Sequence, residues 1–440
     1  MKKALVILLA VMLLAVSVPA LALDARDAVL FDSIEETPAP ESADAAETEE
    51  AAEETAAAPV LETVTERVIK ITYDSFDFDA AVAQVNVNLL AAGACTAISG
   101  TLPNGDVYLG RNLDFYCTDA PAYVVEINPS ETVKNHVVGI GSSPSLPDWQ
   151  EDYTLPEAVL SRMPKLCCDG TNGDIYVETN VRSYEWDENG VNYIVTNHTN
   201  EGAPRMSVQN LIMWACINYN SIDEVLEHMN DVDWFTFPDG YNINGAGMNF
   251  STSYFIVEKT GKSGIIEFCG DSWAYTPTFF NANYYQNPEY YALEKMPVGE
   301  ARIDALMPKW ARVAVYGTEE SVREMMNTVS YAQIYRTENN FDVTSEYFGC
   351  SWTTSRGFEV TADMMTKEWT EQHPEMTQLL ISDSQRQSEN RTWEESIAHH
   401  DWETSLCNVV NMTKGTIDVV ASEHYGVHFA IDIATGDITF

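Results

Sequence analysis

Ala94-Cys95-Thr96-Ala97-Ile98-Ser99-Gly100-Thr101-Leu102-Pro103-Asn104-Gly105-Asp106-Val107-Tyr108-Leu109-Gly110-Arg111-Asn112-Leu113-Asp114 is the stretch on which the fold of this chain turns. It reads as a short strand, a turn at Pro103-Asn104-Gly105-Asp106, and a returning strand. Asn-Gly between two such runs is a strong local hairpin signal, because a tight turn needs a residue that tolerates positive φ. The hairpin carries Arg111 and Asp114 back beside Cys95. A neighbouring cation favours the thiolate, the nucleophilic form of cysteine. Without such help a thiol of pKa ~8.5 is only a few per cent ionised at neutral pH. The same spacing also fits a buried structural cysteine beside a surface ion pair.

Working outward, the body of the chain repeats this pattern of paired short strands. Tyr254–Glu258 with Gly264–Phe268, Leu406–Val410 with Thr416–Val420, and Val427–Ile433 with Asp437–Phe440 all read as hairpins. Arg67–Tyr73 (RVIKITY) is β-branched and strand-like, and Ala80–Ala94 is an apolar small-residue stretch. Helices are fewer. Ser221-Ile222-Asp223-Glu224 is a capping box followed by Val225, Leu226 and Met229 at helical spacing. Val208–Tyr219 reads as a preceding buried helix, and Glu319–Met326 puts acids in its first turn and apolar residues at Val322, Met325 and Met326. Antiparallel hairpins interspersed with a few helices define an α+β protein, not a doubly wound sheet.

The Cys95-Thr96 start, the sixteen-residue step to Arg111 and the tetrapeptide Arg111-Asn112-Leu113-Asp114 together resemble the choloylglycine hydrolase family. These are linear-amide C–N hydrolases that include bile salt hydrolases and penicillin V acylases, with acid ceramidase and N-acylethanolamine amidase as distant relatives. Glu188–Asn197 is similar to the family's acidic, Gly-containing segment that ends in an oxyanion-hole asparagine. Lys259–Glu267 resembles the hairpin that follows, Phe280–Tyr285 the second asparagine segment, and Glu300-Ala301-Arg302 the later arginine. Ala282 departs from the family's usual Thr-Asn, and the resemblance places the second asparagine on Asn283. The likeness spans Cys95 to Phe440.

The resemblance implies an N-terminal-nucleophile hydrolase with a four-layer αββα sandwich. The precursor is cut before the cysteine, so residues 95–440 form the active chain and Cys95 becomes its first residue. The α-amino group of Cys95 then serves as base, with a pKa of ~7.7–8.0 suited to proton transfer near neutrality. The implied catalytic set is Cys95 as nucleophile, Arg111 by the sulfur, Asp114 fixing the amine, Asn197 and Asn283 holding the oxyanion, and Arg302 supporting the charge balance. No cofactor or metal is implied. The partner is a small N-acyl amide: a conjugated bile salt, penicillin V, an N-acyl amino acid or lactone, or an N-acylethanolamine.

The region before Cys95 differs from that of the bile salt hydrolases, which lose only an initiator methionine. Met1-Lys2-Lys3, an apolar run to Val18 and the small-x-small Ala20-Leu21-Ala22 have the form of a secretory signal peptide over 1–22. The run is too short to span a bilayer, which takes about 20 apolar residues. Within 23–60, residues 32–59 hold ten acidic side chains, three prolines and no Lys or Arg, a composition expected to stay disordered. Residues 61–94 then form a propeptide. The expected location is extracytoplasmic, secreted from a bacterial cell, without stable membrane insertion after leader removal; an oligomer is compatible with the sequence.

The chain of 440 residues has 67 Asp and Glu against 24 Lys and Arg, a formal net charge of −43. This disfavours a sequence-independent nucleic-acid binder, which needs basic residues to release phosphate counterions, and it disfavours adsorption to anionic lipid. Eight cysteines without a C-x-x-C spacing suggest neither a zinc site nor a disulfide scaffold.

The same residues admit other readings. Leu90–Cys95 looks like a lipobox, but lies some seventy residues beyond where a leader ends. A Cys-His protease lacks any recognisable local signature around its histidines. His424 and His428 fall in strand-like surroundings, where a spacing of four has no ligand meaning, and His399-His400-Asp401 lies in a polar stretch. Trp234-Phe235 and Trp352 read as core before they read as an acyl pocket. Two alternatives to the amidase remain: a non-catalytic secreted binding protein on the same scaffold, and an acyltransferase of the same family.

Overall fold

The computed structural model describes residues 59–79, 95–116, 121–142, 167–181, 198–236, 252–292, 300–327, 329, 334–335, 342–343, 351–353, 359–361, 402–421 and 427–440. All of these belong to the compact unit Thr55–Phe440. The leader, the acidic segment up to residue 58, the stretch 80–94 and its junction with Cys95, Asn197, His424 and His399-His400-Asp401 lie outside the described residues.

Two strands, β1 (Val60–Thr65) and β2 (Val68–Tyr73), precede the cysteine. β3 (Cys95–Thr101) begins on it and β4 (Val107–Tyr116) returns. Then come β5 (Ala122–Ile127), β6 (Val137–Ser142), β7 (Asp169–Thr171), β8 (Ile175–Val181) and β9 (Arg205–Ser207). Helices α1 (Leu211–Asn218) and α2 (Ile222–His228) lead to β10 (Asp233–Phe235) and the meander β11 (Thr252–Glu258), β12 (Ser263–Cys269), β13 (Ser272–Pro277). β14 (Phe280–Asn281), α3 (Pro288–Tyr291), α4 (Glu300–Tyr316) and α5 (Glu319–Asn327) follow. Two small pairs, β15 (Ile334–Tyr335) with β16 (Asp342–Val343) and β17 (Ser351–Thr353) with β18 (Glu359–Thr361), come before β19 (Trp402–Asn411), β20 (Thr416–Ala421), β21 (Val427–Asp432) and β22 (Ile438–Thr439).

All four hairpins expected from the sequence form: β3/β4, β11/β12, β19/β20 and β21/β22. At the first turn Gly105 has φ 94°, which an L side chain avoids, while Asn104 Oδ1 accepts from the Asp106 backbone N–H. The helix at Ser221 is capped as its sequence predicts, with Ser221 Oγ accepting from Glu224 N. The long helix α4 is the element the sequence hid, because Pro308 in its interior reads as a helix breaker.

The strands assemble into two large sheets. One runs β1-β2-β5-β6-β7-β8-β11-β12-β13 and the other β14-β3-β4-β19-β20-β21-β22. Alternation along each strand decides what each face meets. Val124 and Phe255 of the nine-stranded sheet pack with Ala97, Leu109, Leu113, Val410 and Phe429 of the seven-stranded sheet in one core. The opposite parity of the nine-stranded sheet, including Tyr123, Val125 and Val177, packs on Ile212, Ala215, Ile222 and Val225 of α1 and α2. The opposite parity of the seven-stranded sheet, Ile98, Tyr108 and Val409, packs on Leu306 and Val313 of α4 and Val322 and Met326 of α5. Gly110 permits this approach: a Cβ there would sit 2.6 Å from Met326. The order helix, sheet, sheet, helix makes the protein an α+β, four-layer αββα sandwich.

The strand-like RVIKITY segment lies inside this architecture. β2 pairs with β5 in parallel over six residues, Val68 with Ala122 through Tyr73 with Ile127, and Val68 and Ile71 are fully buried.

Candidate active site

Cys95 is the first residue of β3 and is fully buried between the two sheets. Its neighbours follow from register. Arg111 pairs with Ala97 across the hairpin, so it shares the face of Cys95 that looks into the inter-sheet layer. Its Nη2 stands 4.0 Å from Cys95 Sγ and 3.1 Å from the carbonyl oxygen of Thr179. Its Nε is held at 2.7 Å by Asp169 and at 3.2 Å by Glu178, both from the nine-stranded sheet. Those carboxylates are fixed in turn: Asn281 Nδ2 donates to Glu178 at 2.6 Å and Asn408 Nδ2 to Asp169 at 2.8 Å.

The backbone of Cys95 is gripped from other directions. Its N–H donates to Asn283 Oδ1 at 3.0 Å, and its carbonyl oxygen accepts from Asn180 Nδ2 and Arg302 Nη1, each at 3.3 Å. Asn283 Nδ2 donates to Asn180 Oδ1 at 2.7 Å, which locks the two amides together. Arg302, in the first turn of α4, also donates to Thr96 Oγ1 at 2.8 Å and pairs with Asp114 at 3.4 Å. Asp114 is completed by Thr404 Oγ1 at 2.6 Å, from β19.

Burial dominates the electrostatics. It pushes the Cys95 thiol well above its ordinary value, with Arg111 opposing and Glu178 and Asp114 reinforcing the shift. The carboxyls of Asp114 and Glu178 are pushed up to about 7 and that of Asp169 to about 6, by burial first, with Arg302 drawing Asp114 down and Arg111 drawing down the other two. Arg111 stays charged because Asp169 and Glu178 outweigh its burial. The thiol of the uncut chain is therefore protonated at neutral pH.

Of the six residues the sequence put forward, Cys95, Arg111, Asp114, Asn283 and Arg302 converge, and Asn197 lies outside the described residues. Asn283 and Arg302 fall into place despite Ala282, because β14 brings this segment alongside β3 through Asn281 paired with Ala97. Sequence reasoning missed Asp169, Glu178, Asn180, Thr96, Asn281, Thr404 and Asn408. One signal was available: Glu178 and Asn180 sit at the parity of Tyr176, polar residues on the inward face of a strand whose other residues are largely apolar. Among the described residues, six cysteines are buried and unbridged, and no group of three or more metal-ligating side chains converges. His428 pairs instead with Asp418 on β20.

No protein-family profile matches the sequence, and no curated protein matches it. Among solved structures, the chain is similar to a mutant of the conjugated bile acid hydrolase from Clostridium perfringens, with 14% identity over 78% of this chain and 95% of that one, at a TM-score of 0.39. A second variant of that hydrolase gives 15% identity over 78% and 96%, at 0.37. The penicillin V acylase from Agrobacterium tumefaciens gives 11% over 78% and 87%, at 0.35.

Proposed function

We propose that the protein is an exported, self-processing cysteine amidohydrolase that cleaves the linear amide C–N bond of a small N-acyl compound. The observation that carries this reading is the position of Cys95: it opens a strand, its backbone nitrogen rests on Asn283, and its sulfur faces the Arg111 guanidinium. A residue so placed becomes a nucleophile with its own base once the Ala94–Cys95 bond is cut.

In the reaction, the freed α-amine takes the thiol proton and the thiolate attacks the substrate carbonyl. The amine then delivers that proton to the departing nitrogen, leaving a thioester. Water, deprotonated by the same amine, attacks the thioester, and the proton returns to the sulfur as the acid leaves. Because base and nucleophile belong to one residue, little ordering entropy is lost in bringing them together. Asn180 Nδ2 and Asn283 are the described amides nearest the reacting residue, and in this reading Asn180 takes the oxyanion-donor role that the sequence assigned to Asn197. A donor preset for charge that appears only in the transition state is worth ~3 kcal/mol. Arg302 and Asp114 buttress the Cys95 carbonyl and its neighbour Thr96.

Cutting at 94–95 would leave β1 and β2 on a separate chain, still paired to β5 and buried through Val68 and Ile71. The mature protein is thus expected to be a two-chain species under native conditions. A conjugated bile salt, penicillin V or an N-acyl amine fits this chemistry, and the residues do not choose among them. The complete burial of Cys95 favours one rival, a non-catalytic binding protein in which the cysteine stays sealed.

The test is the intact mass and N-terminal sequence of the secreted protein, beside a Cys95→Ser version. A wild-type chain starting Cys95-Thr96, with processing slowed or lost in the variant, supports the amidase. A wild-type chain that retains residues before Cys95 has no free amine to act as base and leaves the binding protein as the reading.

A further inference from the structure

Among the described residues, Arg111 and Arg302 face three buried carboxylates, Asp114, Asp169 and Glu178. The proposed mechanism uses Asp114 beside Arg302, but it leaves Asp169 and Glu178 unemployed. Burying an ionised carboxylate is costly unless it is paired, and Arg111 is a single cation between two of them. Arg111 turns its Nε edge to that pair at 2.7 and 3.2 Å, while its nearest approach to the sulfur is 4.0 Å. Coulomb attraction falls with distance, and both carboxylates are anchored from the far side by Asn281 and Asn408.

We propose that Glu178 and Asp169 are positioning residues that act as a brake on the nucleophile: they commit the Arg111 guanidinium to the nine-stranded sheet and so hold the Cys95 thiol protonated until the site gains another positive charge. This rests on Cys95 being the nucleophile. The missing charge is one that the cut supplies. A free α-amino group at residue 95 that takes the thiol proton becomes an ammonium as the thiolate forms, so the new negative charge appears with a cation on the same residue and adds no net charge to the site. Until then the sulfur is both a poor nucleophile and a poor target for oxidation, since both reactions need the thiolate.

Among the described residues, the other titratable and charged groups facing Arg111 and Cys95 are Cys168 beside β7, Tyr176 on β8, Asp114 on β4 and Arg302 on α4. Burial places Glu178 and Asp169 at about 7 and about 6, so the brake acts in the neutral range and not only in strong base. Neither carboxylate belongs to the hairpin that holds Cys95 and Arg111, so a neutral amide in either place leaves the remaining carboxylate and the Thr179 carbonyl to hold the guanidinium.

The sulfur itself gives the readout. The ultraviolet absorbance of the Cys95 thiolate is titrated in the full-length protein as secreted, wild type beside each variant, with the cleavage state of each established by intact mass and only like states compared. Glu178→Gln is expected to move the thiol midpoint down by about one pH unit, which is about tenfold more thiolate between about pH 7, where Glu178 ionises, and the midpoint. Asp169→Asn is expected to move it the same way and serves if Glu178→Gln does not fold, as judged by circular dichroism. An unmoved or raised midpoint in a folded variant overturns the proposal. Because the titration needs no substrate, a lowered midpoint in a protein without amidase activity would retain the brake and remove the amidase, whereas an active enzyme with an unmoved midpoint would do the reverse.

Discussion

The two large sheets contribute to the site on opposite terms. The seven-stranded sheet supplies Cys95, the proposed nucleophile, with Arg111, Asp114 and Thr404, from strands that face each other across hairpins or across the β4–β19 pairing. The nine-stranded sheet supplies Asp169, Glu178 and Asn180, which reach the sulfur's surroundings only across the inter-sheet layer. It also takes in β2, from the far side of the expected cut. In the proposed mechanism one sheet carries the reacting groups, and the other sets their charge and supplies donors. A chemistry whose parts come from two sheets depends on the distance between them, so packing of the inter-sheet core is a functional variable.

The sharpest way to break that division is Asn180→Ala. If the nine-stranded sheet provides an oxyanion donor, kcat falls by about 10²–10³ with folding intact; if the seven-stranded sheet works alone, kcat is unchanged. Substrate turnover by the purified two-chain protein decides between them.

The next test concerns β2. Ile71 is fully buried, so Ile71→Ala is expected to destabilise by about 2–5 kcal/mol, while Leu61→Ala, at a site 44% exposed on β1, stays within about 0.5 kcal/mol. Denaturant titration with mass spectrometry of the retained N-terminal chain measures both. Equal and small effects would mean that β2 is an ornament on the nine-stranded sheet.

A smaller effect is expected from pH. Asp114, Asp169 and Glu178 have carboxyls raised from the ordinary range near 4 to about 6–7, so the folded state binds more protons than the unfolded state between these limits. Their contribution to stability is fully present below pH ~4 and is lost as pH rises through about 7. Tm should therefore decline from pH 5 to 8, and Glu178→Gln should flatten the decline; a slope equal to wild type would place the titration elsewhere.

The smallest effect belongs to the molecule as a whole. With a formal charge of −43, long-range repulsion slows an anionic substrate at low salt, so kcat/KM for an anionic acyl amide should rise with ionic strength toward a plateau. A neutral amide measured alongside should give a flat profile, and a flat profile for both would confine the charge to a solubility role.

How much of this was legible follows the same division. The seven-stranded sheet announced itself, because its hairpins are local: Asn104-Gly105 marks one turn, and the step from Cys95 to Arg111 fixes the pairing that brings them together. Asp169 and Glu178 gave no such signal. Their partners lie 58 and 67 residues away on another sheet, and single acids in a strand read as solvent-facing until the sheet that covers them is known. Asn180 gave no such signal for a related reason: it closes the bare strand run Val177-Glu178-Thr179-Asn180, which carries no motif, and its contact with Cys95 spans the two sheets. Pro308 concealed α4, although the Arg302 it carries was found by its local context.

The parallel pairing of β2 with β5 has a consequence for the life of the protein after the cut. Within the uncut chain, β2 meets β5 by closing a loop through β3 and β4, an intramolecular step at high effective concentration. Once the 94–95 bond is gone, the same meeting becomes an encounter between two molecules, and it slows with dilution. Under the proposed cut, the mature protein would fold once, as a precursor, and after unfolding would not retrace that route at the precursor's rate. Its persistence would then be a matter of how slowly β2 leaves, a kinetic property and not an equilibrium one.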